Sequence, residues 1–214
     1  MKTQLITIMM LIAAGIVGAQ QKSKTHNYST IQTGQWVLPN SDGVSSTMQT
    51  YKGSKALIIK KSFNNYKFGT VAYPKGLNFT DGEIELDMAS NSGQDFLGLA
   101  FRIKDDHHYQ TLYFRPASTG TINAIQYMPE KKNDFNWWDY EADKYQAKAA
   151  LPATDWFHIK AVVKGNELKV YVNHEAKPSM VYKDLDPDLK QGSVGYWFGN
   201  SLSCAYKNLT VKTY

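Results

Sequence analysis

Short runs of alternating apolar and polar residues fill the chain from about residue 55 onward, and turn residues separate them. Glu83 to Ala89 alternates acid with apolar residues, and Phe96 to Lys104 and Tyr109 to Arg115 flank the turn Asp105-Asp106-His107-His108. Lys55 to Lys61, Asn123 to Met128, Ser193 to Phe198 and Leu209 to Thr213 are further short runs. Phe157 to Lys164 and Glu167 to Asn173 flank Gly165-Asn166, a pair suited to a two-residue hairpin turn. A period of two is the mark of a half-buried strand. No long segment carries the 3.6-residue period of a helix, although residues 139–149 have room for a helical turn or two. Many short strands at this spacing predict an all-β sandwich or barrel.

The alternation assigns faces. Ile84, Leu86 and Met88 point to the core, with Glu83, Glu85 and Asp87 opposite. Leu97, Leu99, Phe101 and Ile103 share the core side, leaving Phe96, Gly98, Ala100, Arg102 and Lys104 outside. Leu112 and Phe114 point inward; Tyr109, Thr111, Tyr113 and Arg115 point out. Phe157, Ile159, Ala161 and Val163 face Leu168, Val170 and Val172 across the hairpin. Val194, Tyr196 and Phe198 look inward, and Gly195 and Trp197 outward.

The amino end breaks this pattern. Lys2 precedes an almost unbroken apolar run from Leu5 to Val17, followed by the small residues Gly18 and Ala19. The run is too short for a bilayer span of about 20 residues and reads as a cleaved secretory signal over residues 1–19. Residues 20–34 are polar and read as a flexible segment, and residues 35–214 as a single β-sandwich domain. The expected location is secreted or periplasmic, without stable membrane insertion. Loss of Lys2 with the leader lowers the formal net charge from +5 to +4. The lysines are dispersed among acids and form no basic stripe, which argues against nucleic acid as a partner. One cysteine, Cys204, excludes an intramolecular disulfide framework and a cysteine-rich metal site. No phosphate-binding loop, dinucleotide fingerprint or nucleophile elbow is present, and no cofactor or metal is expected.

The second half carries a family likeness. Its residues are Phe101-Arg102, Tyr113-Phe114-Arg115-Pro116, Gln126-Tyr127, Trp137-Trp138-Asp139-Tyr140, Trp156-Phe157-His158-Ile159-Lys160, Val170-Tyr171-Val172-Asn173 and Gly192-Ser193-Val194-Gly195-Tyr196-Trp197. Over about residues 80–213 the chain resembles a concanavalin A-like (laminin G-like) jelly roll. It is most similar to exported bacterial domains of the 3-keto-disaccharide hydrolase type, loosely grouped with family 16 glycoside hydrolases. The resemblance implies an all-β fold of two antiparallel sheets, with an oligo- or polysaccharide met on the concave sheet. It implies a glycoside hydrolase-like activity, with a non-catalytic carbohydrate-binding module or a cell-surface interaction domain as the alternatives.

Three clusters are candidates for the chemistry. Glu83, Glu85 and Asp87 stand at i, i+2 and i+4 on one strand face, about 6.5–7 Å apart along the chain. Paired carboxylates are what glycoside hydrolysis requires, so these three are the catalytic candidates. They depart from the family 16 pattern: Glu85 stands where an Asp is usual, Asp87 where a second Glu is usual, and Ala89-Ser90 follows in place of a Trp. A wet strand face with no catalytic role is the other reading. Arg102, Tyr113, Arg115 and Gln126 form the second cluster, suited either to binding saccharide hydroxyls or to ion pairs with the acids. Trp137, Trp138 and Tyr140, joined by Trp197, supply rings for stacking on a sugar, or loop packing over the sheet edge.

Overall fold

The computed structural model describes residues 23–32, 34–39, 43–62, 69–131 and 142–214. The strands are β1 (Lys24–Tyr28), β2 (Trp36–Val37), β3 (Val44–Tyr51), β4 (Ser54–Lys61), β5 (Thr70–Pro74), β6 (Gly82–Ser90), β7 (Leu97–Asp105) and β8 (His108–Phe114). They continue as β9 (Ile125–Lys131), β10 (Gln146–Ala147), β11 (Phe157–Lys164), β12 (Glu167–Val172), β13 (Met180–Tyr182), β14 (Ser193–Phe198) and β15 (Ser203–Thr213). One short helix, α1 (Ala142–Tyr145), falls within the stretch expected to hold a helical turn. The leader at residues 1–19 and the Trp137, Trp138 and Tyr140 cluster lie outside the described residues.

All pairings are antiparallel and form two sheets. The first runs β13-β12-β11-β6-β15-β4-β3, with β1 also on β15; the second runs β10-β9-β8-β7-β14-β5-β2. Their inner faces supply one core, including Ile84, Leu86, Met88, Leu99, Phe101, Leu112, Phe114, Ile159, Val170, Tyr196 and Phe198. This is the two-sheet antiparallel sandwich that the family resemblance implies, where the alternation alone predicts a sandwich or a barrel. Lys24–Tyr28 lies in the polar segment expected to be flexible, yet it pairs residue for residue with Leu209–Thr213. Polar residues at a sheet edge keep their backbone hydrogen bonds whatever their side chains, which hydrophobic patterning does not reveal.

The two sheets differ in their outer faces. In β6, β11 and β12 buried residues alternate with half-exposed ones, as in a sheet with one wet side. In β8, β9 and β14 nearly every residue is buried, and so are the first seven of β7. The second sheet is therefore dry on both sides.

The face assignment of Arg102 needs correction. The register of β7 against β8 shifts between Phe101 and Asp105, and Arg102 takes a positive φ of 52°. A bulge inserts one residue and reverses the alternation beyond it. Ile103, expected in the central core, instead joins Ala100 and Tyr109 on the outer face. Arg102, expected outside, is 3% exposed. Its Nη2 donates to the Gly165 carbonyl at 2.7 Å and to Asp81 at 3.2 Å, and its Nε to the Thr80 carbonyl at 3.0 Å. Arg102 thus ties β7 to the β11–β12 hairpin turn, lining a cavity of about 530 Å³ with Asp184, Asp186 and Lys190. Truncation removes the donor from the Thr80 and Gly165 carbonyls and leaves Asp81 with the Gly165 N–H, so Arg102→Ala is expected to cost about 3 kcal/mol, measured by urea unfolding.

Candidate functional site

Glu83, Glu85 and Asp87 occupy the outer face of β6, as their spacing predicts, and face partners from β11 and β15. Register sets His158 opposite Asp87, Lys160 opposite Glu85 and Lys212 opposite Glu83. Lys160 pairs closely with Glu83 and lies 3.6 Å from Glu85; Lys212 reaches Glu83 at 3.0 Å. Tyr214 donates its phenolic hydrogen to Glu83. His158 Nδ1 sits 2.8 Å from Asp87 and Nε2 3.3 Å from Glu85, and its ring stacks on His174 at 4.0 Å. Asn208 Nδ2 donates to Asp87 at 2.7 Å.

These partners fix charge states. Hydrogen bonds from Lys160 and Tyr214, with Lys212 behind them, hold the Glu83 carboxyl down at about 2. Burial opposes ionisation of Asp87, but His158 and Asn208 keep its carboxyl below the usual range. A general acid needs the opposite, a carboxyl raised toward neutrality. The arrangement is a set of cross-strand ion pairs, which the sequence offers as an alternative role for the arginine cluster. The partners, however, are His158, Lys160 and Lys212, and not Arg102 or Arg115.

The second cluster lies on the other side of the molecule. Paired residues run in a row across the second sheet: Val71, Trp197, Gly98, Tyr113, Gln126 and Gln146. A second row holds Gly195, Ala100, Thr111 and Met128, and beyond it Tyr109 faces Glu130. Gly98 has no side chain, so Trp197 and Tyr113 meet above it with ring centres 5.1 Å apart. A Cβ at residue 98 would come within 2.1 Å of the Leu112 carbonyl oxygen and 2.7 Å of the Tyr113 Cα. A Cβ at residue 69 or 199 would likewise come within 2.1 or 2.2 Å of the Trp197 indole.

Phe96 extends the ladder beyond Tyr113 (centres 6.0 Å apart), and the Arg115 guanidinium lies 4.7 Å above the Phe96 ring. Phe96 is placed by the β6–β7 crossover. There Asp95, 2% exposed, accepts from Ser90 Oγ, Asn91 N, Ser92 N and Ser92 Oγ. Ser201 Oγ accepts from Phe96 N at 2.7 Å, and Gly199 N donates to the Phe96 carbonyl at 3.0 Å.

The face is dry but polar. Thr111 Oγ1, Gln126 Oε1, Arg115 Nε and, beside Phe96, Asn200 Oδ1 are buried and have no hydrogen-bond partner among the described residues. Burial, with the Glu130 carboxylate adding to it, pushes the Tyr109 phenol well up. Buried polar atoms are nearly always paired, so several orphans on one face call for a partner. Tyr113, Arg115 and Gln126 thus share one face, joined by Trp197, which the sequence groups with the rings of Trp137, Trp138 and Tyr140, while Arg102 is removed by the bulge and the three acids stand on the opposite sheet. Phe96 and Thr111 were not singled out from sequence, although the alternation places both on this face. Gly98, flanked by Leu97 and Leu99, was the available signal of rings meeting overhead. Among the described residues no three of His, Cys, Asp and Glu are grouped to hold a metal ion, and no helix is long and apolar enough to cross a membrane.

No family model and no curated protein matches the chain. Solved structures do. The carbohydrate-binding module CBM66 of Bacillus subtilis superposes with a TM-score of 0.57 at 13% identity, over 84% of this chain and 96% of that one. A Bacillus subtilis protein of unknown function with a galectin-like fold gives 0.58 at 11% identity, over 88% and 94%. A Bacillus licheniformis beta-glucanase gives 0.50 at 12% identity, over 91% and 99%. The fold is concanavalin A-like.

Two outcomes follow from this geometry. Gly98→Ala is expected to cost about 1–3 kcal/mol by overpacking and to alter the near-ultraviolet circular dichroism of the Trp197–Tyr113 pair. The Glu83 network gives an acid limb to stability. Because the folded carboxyl is depressed from the usual 4.5 to about 2, its contribution is full above pH about 4.5 and fades as pH falls toward 2. The difference in unfolding free energy between wild type and Glu83→Gln should shrink over that interval in acid titrations.

Proposed function

We propose that this chain is a saccharide-binding β-sandwich whose ligand lies on the outer face of the second sheet, along Trp197, Tyr113, Phe96 and Arg115. The carrying observation is the pair of unpaired polar atoms at the half-buried rim, Arg115 Nε and Asn200 Oδ1, beside that aromatic ladder. Rings offer apolar faces to the C–H side of a sugar, and buried hydroxyl, amide and guanidinium groups suit its hydroxyls. The fold shared with a carbohydrate-binding module and a beta-glucanase adds support. Half-buried Phe96, Arg115 and Asn200 form the solvent-facing rim, and the buried Trp197 and Tyr113 form the support beneath it. A secretory leader at residues 1–19, as proposed from sequence, suits a protein meeting glycans outside the cytoplasm.

Binding without hydrolysis by Glu83, Glu85 and Asp87 is the reading we favour over a glycosidase. Those carboxylates are paired with cations, and they stand on the first sheet, away from the ladder. A binding atom kept unpaired in the free protein lowers stability, and this separates the reading from simple packing. Asn200→Leu removes the orphan amide at the half-buried rim at nearly constant volume. It should raise unfolding free energy by about 1 kcal/mol while weakening glycan binding, as followed by thermal melts and by titration calorimetry against a panel of oligosaccharides. Stabilisation with unchanged binding, or release of sugar that vanishes in Glu85→Gln and Asp87→Asn, would overturn the proposal.

A further inference from the structure

The chain has two arginines, and they are treated in opposite ways. Arg102 is buried against Asp81 and two backbone carbonyls, so its charge is met inside the fold. Arg115 has no acidic partner: its guanidinium rests on Phe96, and its Nε is buried without a hydrogen bond among the described residues. Among the described residues Asp95, which precedes Phe96, already accepts four hydrogen bonds within its own loop. Glu130 shares the face but sits opposite Tyr109, six residues along β8 from Arg115, or about 20 Å away. Several of the lysines, by contrast, are satisfied: Lys131 by Asp186 and Asp188, Lys160 and Lys212 by Glu83, Lys169 by Glu167.

From this contrast we propose that the saccharide bound on the second sheet carries an oxyanion, a carboxylate or a sulfate ester, and that Arg115 is the group that holds it. This rests on the saccharide reading and sharpens its ligand class. A guanidinium stacked on a ring is pre-oriented and weakly hydrated, and its fork of donors matches two oxygens of an oxyanion. A half-buried cation with an unsatisfied donor is costly to keep unless a ligand neutralises it. A neutral sugar would satisfy the donor and leave the charge.

The experiment is a printed glycan array of neutral, uronate-bearing and sulfated oligosaccharides, probed with the full chain and with Arg115→Gln and Arg115→Lys, followed by calorimetry on the best glycan at two salt concentrations. The expected result is retention of acidic glycans by wild type and a ten- to hundredfold loss in Arg115→Gln, with an intermediate loss in Arg115→Lys. Affinity should fall with added salt in wild type and much less so in Arg115→Gln. Melting temperatures within a degree or two of wild type exclude unfolding as the cause. Preference for uronates or for sulfates tells the two sources of the oxyanion apart, and either supports the proposal. Neutral glycans bound equally by wild type and Arg115→Gln would overturn it while leaving the saccharide reading intact. No glycan bound by wild type would overturn both.

Discussion

The side chain that residue 98 lacks sets the geometry of the second sheet's outer face. Strands β14, β7 and β8 bring Trp197, Gly98 and Tyr113 into one row, and neighbouring strands lie about 4.8 Å apart. Two large rings two strands apart meet only if nothing stands between them. Gly98 leaves that space, and Gly195 with Ala100 keeps the next row low. The bulge at Arg102 acts on the same face from the other end. It turns the guanidinium away and brings Ile103 beside Tyr109, so the far end of the ladder becomes apolar.

Dryness on both sides changes what the polar residues of this sheet mean. On the first sheet every acid of the β6 trio faces a cation or a donor, and Glu83 and Glu85 line a cavity of about 530 Å³ with His158, His174, Tyr171 and Tyr214. On the second sheet the hydroxyl, amide and guanidinium groups lie where water does not satisfy them. A group of this kind costs about 1–3 kcal/mol when left unpaired. A fold retains several such costs on one face only with some compensation, and a ligand rich in hydroxyls is the simplest source of it.

Much of this was legible in the sequence, because period-two alternation is dictated by the pleat. The inward set Leu97, Leu99, Phe101, Leu112 and Phe114 and the outward set Tyr113, Arg115 and Trp197 follow from it directly. Two things were not legible. The bulge has no local mark: Arg102 takes a positive φ with neither Gly nor Asn beside it, because Asp81 and the carbonyls of Thr80 and Gly165 hold it there from distant positions. Nor does alternation say whether an outward face is wet. Glu83, Glu85 and Asp87 read as paired catalytic carboxylates on spacing alone. Their partners come from β11 and β15, more than 70 residues on (His158 lies 71 from Asp87), where no local pattern announces them.

The opposition of the two faces bears on chemistry as well as on binding. Hydrolysis of a glycoside needs one carboxyl protonated at working pH and another ionised beside it. The first sheet has carboxylates in number, with the rings of His158, His174, Tyr171 and Tyr214 beside them, but its lysines hold Glu83 ionised and His158 with Asn208 keeps the Asp87 carboxyl low. The second sheet has the ladder of rings and one uncompensated cation, but no pair of carboxylates among its described outward residues. Recognition and acid–base groups are therefore on separate surfaces, with the hydrophobic core between them. In the reading proposed above, the surface that orients a sugar is not the one that carries the carboxylates, and the ladder acts as a binding device.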